Sequence, residues 1–148
     1  MSEASDPLYK KALLRLAADA AGAGTLPAPD AEATAANPAC GDRVRVTVTL
    51  KDGRVAQLAH DTHGCLLTQA SAAILGAAGP GLDAKALAAL EAGVRAMLKD
   101  GAPPPLPAYG AFEGAAEIPG RHVCVLLPLQ ALRDALELAE PAGPRAQQ

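Results

Sequence analysis

Between Arg43 and Leu50 the chain alternates strictly, with Val44, Val46, Val48 and Leu50 on one parity and Arg43, Arg45, Thr47 and Thr49 on the other. A period of two places successive side chains on opposite faces of an extended strand, so this segment reads as a half-buried β-strand. Asp52-Gly53 follows at once, a pair that readily takes the positive φ angles of a two-residue hairpin turn. The returning strand, Arg54–His60, then pairs antiparallel with the first. The segments before Arg43 and after His60 must therefore meet at the hairpin's open end.

Around this hairpin the pattern is mostly helical. Asp6 caps and Pro7 opens a segment running to about Ala21, with Leu8, Ala12, Leu16 and Ala20 in one stripe. Lys10 and Lys11 lie outside that stripe and read as a solvated pair. Residues 25–36, rich in Pro and Ala, read as a loop with at most a short edge strand before Asn37. Residues 65–78 form a small-residue, buried helix with Cys65 at its N-terminus, closed by Gly79-Pro80-Gly81. Asp83 caps another helix over 84–99, with Leu87, Leu90, Val94 and Leu98 on one stripe. Residues 101–120, centred on Pro103-Pro104-Pro105, read as a stiff surface loop that Tyr109 and Phe112 anchor to the core. A last helix is expected over Val125–Ala139, with Pro128 tolerated only in its first turn.

The chain holds only three aromatic residues in 148, so the core must be built from Leu, Val, Ile and Ala. The expectation is one α+β domain with a small antiparallel β-sheet, helices packed mainly on one face and a site at one end of the sheet. Its ordered core spans about residues 7–139, and 140–148 form a flexible tail. A formal charge of -3, with no basic run interleaved with aromatics, gives no footprint for nucleic acid. The apolar run Ala12-Leu13-Leu14 is cut by Arg15, and Glu3, Asp6 and Asp19 do not suit a targeting peptide, so a cytoplasmic protein with no membrane span is expected.

The three cysteines, Cys40, Cys65 and Cys124, are separated by 25 and 59 residues, which suits no compact disulfide framework. The stretch Asn37-Pro38-Ala39-Cys40-Gly41-Asp42 sets a soft thiol and a hard carboxylate on one loop. Pro38 restricts Asn37 to extended conformations, and Gly41 allows the backbone to turn Cys40 and Asp42 toward one point. The returning strand brings Cys65 to the same end, at a helix N-terminus whose positive dipole favours thiolate. Cys124 also falls at a helix start. Three thiols and one carboxylate suit zinc, an iron–sulfur cluster or a persulfide carrier, and three unrelated core cysteines are the plain alternative. His60, His63 and His122 are surface or core residues first and metal ligands second; His63 and His122, which flank proposed ligands, are candidates for a supporting role. Arg121 is a candidate to steady a thiolate or persulfide.

In these residues the sequence resembles the iron–sulfur cluster assembly scaffolds of the IscU, SufU and NifU N-terminal group. The motifs are Asn-Pro-Ala-Cys-Gly-Asp at 37–42, Gly-Cys with a Ser/Ala-rich helix at 64–73, and Arg121-x-x-Cys-x-Leu-Leu-Pro at 121–128. Leu8-Tyr9 and Asp52-Gly53 also fit, so the resemblance runs from about 8 to 139. It implies that Cys40, Cys65 and Cys124 are thiolate ligands and that Asp42 is the carboxylate that keeps the site labile. It further implies a transient [2Fe–2S] cluster passed to apo iron–sulfur acceptor proteins, with sulfur from a cysteine desulfurase. IscU-type members carry a His directly before the third Cys and a Leu-Pro-Pro-Val-Lys motif upstream; here Val123 and Ile118-Pro119-Gly120 stand there. The long Cys65–Cys124 segment is similar to SufU, which implies a zinc-dependent sulfur acceptor, or sulfurtransferase, as the alternative. Cys124 is the first candidate to receive sulfur, because Gly120 and the loop before it give it the most mobile approach, and Cys40 is the candidate that the SufU resemblance implies.

Overall fold

The computed structural model describes residues 7–39 and 41–145; Cys40, residues 146–148 and residues 1–6, which include the expected cap Asp6, lie outside the described residues. The chain runs α1 (Pro7–Asp19), β1 (Ala31–Asn37), β2 (Asp42–Lys51), β3 (Arg54–His63), α2 (Leu66–Ala78), α3 (Ala84–Asp100), 3-10 segments over Pro107–Glu117 and Pro119–Arg121, and α4 (His122–Arg145). The three strands form one antiparallel sheet in the order β1-β2-β3. α4 lies against β1 and β2, α2 against β3, α1 on α2 and α3 on α4. This is the expected α+β architecture.

The hairpin forms as its sequence dictates. Asp52 and Gly53 both take positive φ, 55° and 77°, as a type I′ turn requires. Val44, Val46 and Val48 are fully buried at 0% exposure beneath the helices. The opposite face is less open than alternation predicts, because Thr47 is buried too: its hydroxyl accepts from the Leu26 N–H and reaches the Ala59 carbonyl. The loop after α1 covers that face and docks on β3 through Gly24 N–H to His60 O and His60 N–H to Gly22 O, each 2.8 Å.

Several element boundaries differ from those expected. Residues 31–37 form a full seven-residue strand rather than a loop with a short edge strand. Ala31, Ala33 and Ala35 alternate with Glu32 and Thr34, but alanine is a poor strand former and carries little hydrophobic contrast, so the period-two signal is faint. Among the described side chains of α1 the deeply buried one is Leu13, while Ala12 and Leu16 are half-buried; the side chain of Leu8 lies outside the described ones. The proline-rich connector is not a plain loop: residues Pro107–Glu117 wind into a 3-10 helix. Tyr109 and Phe112 are its buried anchors, with ring centroids 6.0 Å apart. α4 begins at His122, three residues earlier than expected, and continues past Ala139 to Arg145. Pro128 is thus the seventh residue of α4, beyond the first turn. It keeps a helical φ but has no N–H to offer the Cys124 carbonyl. None of the helices among the described residues is long and apolar enough to cross a membrane.

Candidate metal centre

The open end of the hairpin is built by a short turn. Asn37 pairs with Asp42 as the last β1–β2 partners, and Asn37 Oδ1 accepts from the Ala39 N–H at 3.2 Å. Gly41 closes the turn with its N–H on Asn37 O at 2.9 Å and a φ of 77°, the left-handed conformation that glycine adopts without strain. Asp42 then enters β2 on the same parity as Val44, Val46 and Val48. It therefore points inward, and it is only 3% exposed.

The carboxylate meets the start of α2. Cys65 is the N-cap residue in extended conformation, without a side-chain cap bond of its own. In place of a local cap, Asp42 Oδ1 accepts the Cys65 N–H at 3.2 Å, which satisfies a donor that a helix N-terminus leaves open. Asp42 Oδ2 accepts from the Thr68 hydroxyl at 2.7 Å and from the Cys65 thiol at 3.7 Å. Gly64 makes room for this: a Cβ there would stand 2.8 Å from Asp42 Oδ1.

Cys124 arrives from the first turn of α4. Ser71 on α2 donates to the Val125 carbonyl at 2.6 Å, so the starts of α2 and α4 are tied together beside the two thiols. A carboxylate oxygen of Asp42 and the sulfurs of Cys65 and Cys124 all lie within 4.8 Å of one another. Two thiolates about 2.3 Å from a tetrahedral ion stand roughly 3.8 Å apart. The observed limit admits that spacing, and two soft sulfurs with one oxygen suit zinc or iron. The residues present fit a metal.

The two thiols are electrostatically unequal. Burial raises the Cys65 thiol, but hydrogen bonds from the Thr68 hydroxyl and backbone, from Arg121 and from Cys124 outweigh it and hold Cys65 below its ordinary value. Cys124 is pushed up to about 12, by burial first and then by the charge and hydrogen bond of Cys65. Arg121 hydrogen-bonds to both sulfurs, which in turn raise its own pKa. One negative charge settles on this pair before a second.

These groups line an open cleft of about 620 Å³ together with Asn37, Ala39, Gly41, His63 and Arg121. Cys40, the remaining candidate ligand, lies outside the described residues. Of the histidines, His60 is buried away from the cleft, with Nδ1 2.9 Å from Thr62 Oγ1 and Nε2 2.9 Å from Ala21 O. His63 is exposed at the cleft, 3.3 Å from Asp61. His122 opens α4, half-buried. Thr68 is the residue that sequence reasoning missed, although it stands one helical turn beyond Cys65 and so shares its face.

The profile of the NifU-like N-terminal domain family matches residues 8–105. The chain belongs to this family. The matched span includes Asp42 and Cys65 and stops short of Cys124, whose place in the cluster rests on the fold. A solved N-terminal structure of a nitrogen-fixing NifU-like protein from Brucella abortus is 31% identical, with 91% of this chain and 96% of that one covered and a TM-score of 0.82. A putative iron–sulfur cluster assembly scaffold protein for the SUF system from Fervidobacterium islandicum AW-1 shares the fold at 21% identity, with 89% and 98% covered and a TM-score of 0.78. No curated protein sequence matches the chain significantly.

Proposed function

We propose that this domain is a scaffold on which an iron–sulfur cluster is assembled and from which it is passed on. The supporting observation is the convergence of Asp42, Cys65 and Cys124 on one open cleft, within 4.8 Å, in a member of the NifU-like N-terminal family. Cys40 lies between Ala39 and Gly41, both of which line the cleft, and is proposed as the third thiolate. The cargo is a transient [2Fe–2S] cluster, delivered to apo iron–sulfur proteins in the cytoplasm, with sulfur supplied by a cysteine desulfurase. An iron or zinc ion in the cleft supplies a Lewis-acidic centre that keeps its thiolate ligands ionised. The chain's own part is to present soft donors at a solvent-open position with one oxygen ligand that exchanges more readily than sulfur.

The test is anaerobic reconstitution with iron and sulfide, followed by visible absorption and transfer to an apo-ferredoxin. A sulfide-dependent chromophore, lost in Cys40→Ala and Cys65→Ala, is the expected result. Stoichiometric zinc with no such chromophore would overturn it.

A second reading, a zinc-dependent sulfur acceptor, is supported by Arg121, whose hydrogen bonds to both sulfurs suit a thiolate or persulfide. In that step a thiolate of this chain attacks the outer sulfur of the desulfurase persulfide. A new S–S bond forms here, the old one breaks, and the desulfurase thiolate leaves. Cys124, first choice on sequence, is disfavoured because it is 2% exposed and its thiol is held up to about 12. Moreover, the residues before it form a 3-10 turn continuous with α4 rather than an open loop. Cys40 is the better acceptor, and a persulfide mapped by mass spectrometry to Cys124 alone would refute this assignment.

A further inference from the structure

Thr68 is buried at 0% exposure in the first turn of α2, and its hydroxyl serves no need of the helix. A threonine within a helix commonly bonds back to the carbonyl four residues earlier, here Gly64. That carbonyl instead takes a bond from the Gln69 side-chain amide at 2.9 Å. The Thr68 hydroxyl turns across to β2, 2.7 Å from Asp42 Oδ2, while standing 3.5 Å from Cys65 Sγ. One buried hydroxyl thus touches both an oxygen donor and a sulfur donor of the cleft. On its other oxygen the same carboxylate is held by the Cys65 N–H and backed by Gly64.

We propose that Thr68 is a positioning residue for the metal centre: its hydroxyl gives its one proton to the Asp42 carboxylate and so fixes that ligand beside the Cys65 thiol. The inference rests on the reading of Asp42 and Cys65 as metal ligands and adds to it a residue that does not itself bind the ion. A carboxylate held at both oxygens cannot swing away from the cleft, so the ion meets donors already in place and less ordering is needed on binding. Without the hydroxyl, Asp42 Oδ2 loses its short hydrogen bond and the carboxylate can rotate about its side-chain bonds.

The test uses cobalt(II) as the probe, with metal-free wild type, Thr68→Val and Thr68→Ser titrated against a competing chromophoric chelator. Valine keeps the shape and removes the hydroxyl; serine keeps the hydroxyl and removes a methyl. Thr68→Val is expected to weaken cobalt binding about 10- to 100-fold and to shift the cobalt–thiolate absorption bands. Thr68→Ser is expected to retain wild-type bands and affinity to within a few-fold. Wild-type affinity and bands in Thr68→Val would overturn the proposal, as would equal weakening in Thr68→Ser, which would point to packing. If Thr68→Val does not fold, Thr68→Ala is compared with Thr68→Ser in the same way. A wild type that binds no cobalt through its thiols would instead overturn the ligand assignment, and this inference with it.

Discussion

Asp42 shows how one side chain serves both the fold and the site. Its carboxylate is buried, satisfies the Cys65 N–H at the start of α2 and accepts from Thr68. In metal-free protein, Asp42→Ala takes the acceptor from the buried Thr68 hydroxyl and the half-buried Cys65 N–H, at a cost of roughly 1–3 kcal/mol for the buried one and less for the other. Asp42→Asn keeps one acceptor oxygen and loses less. Urea unfolding of the three proteins measures this, and an alanine variant as stable as wild type would remove the structural role. The inward aim of Asp42 was readable, since it shares parity with Val44, Val46 and Val48; reading it only as part of a ligand loop hid it. The thiols give a second residue-scale prediction. Cys65 lies below its ordinary pKa and Cys124 lies at about 12, so iodoacetamide at pH 8 should modify Cys65 well ahead of Cys124. Peptide mapping that found the two modified equally fast would contradict that inequality.

Among the elements, the hairpin and the helices α2 and α3 were the most legible, because their signals are local: alternation, Asp-Gly, a capping Asp and a closing glycine. Asp83 does cap α3, accepting from the Ala86 N–H at 2.8 Å, and Gly101 ends it in the left-handed conformation. β1 is faint because its inner positions Ala31, Ala33 and Ala35 favour strands little and give their alternation with Glu32 and Thr34 weak contrast. The start of α4 is hidden because a helical proline is expected in the first turn, which sets the start at Val125, although its fixed φ also continues a helix whose neighbours hold it. The contact of α1 with α2 was not legible at all. There Gly76 is pressed against the Ala21–Gly22 turn, and a Cβ would stand only 1.9 Å from the Ala21 carbonyl oxygen. In an open helix, Gly→Ala would stabilise by about 1 kcal/mol. Here Gly76→Ala is expected to destabilise by about 1–3 kcal/mol, since backbone must move. The sign of the change in thermal midpoint decides between the two.

For the molecule as a whole, His60 makes stability depend on pH. It joins the loop after α1 to the sheet, and burial lowers its pKa below the ordinary 6.5, against the weaker raising effects of the Ala21 carbonyl and Asp61. Above pH 6.5 the imidazole is neutral in both folded and unfolded chains, and its contribution is fully present. As pH falls below 6.5 the unfolded chain takes the proton first, so stability is lost until the folded pKa is passed. The drop in thermal midpoint between pH 7.5 and pH 5.5 should therefore be smaller in His60→Gln than in wild type, and equal drops would exclude this role. The position of Asp42, Cys65 and Cys124 has a different consequence. They belong to the ends of three elements that no covalent cross-link joins, the first two alone 23 positions apart in the chain. An ion held by all three would cross-link β2, α2 and α4, closing long loops with one bond set. Loading should then slow amide hydrogen exchange in the first turns of α2 and α4 and leave the Asp52-Gly53 turn, at the far end of the sheet, unchanged. A chelator would act on such a protein as a denaturant confined to one pole.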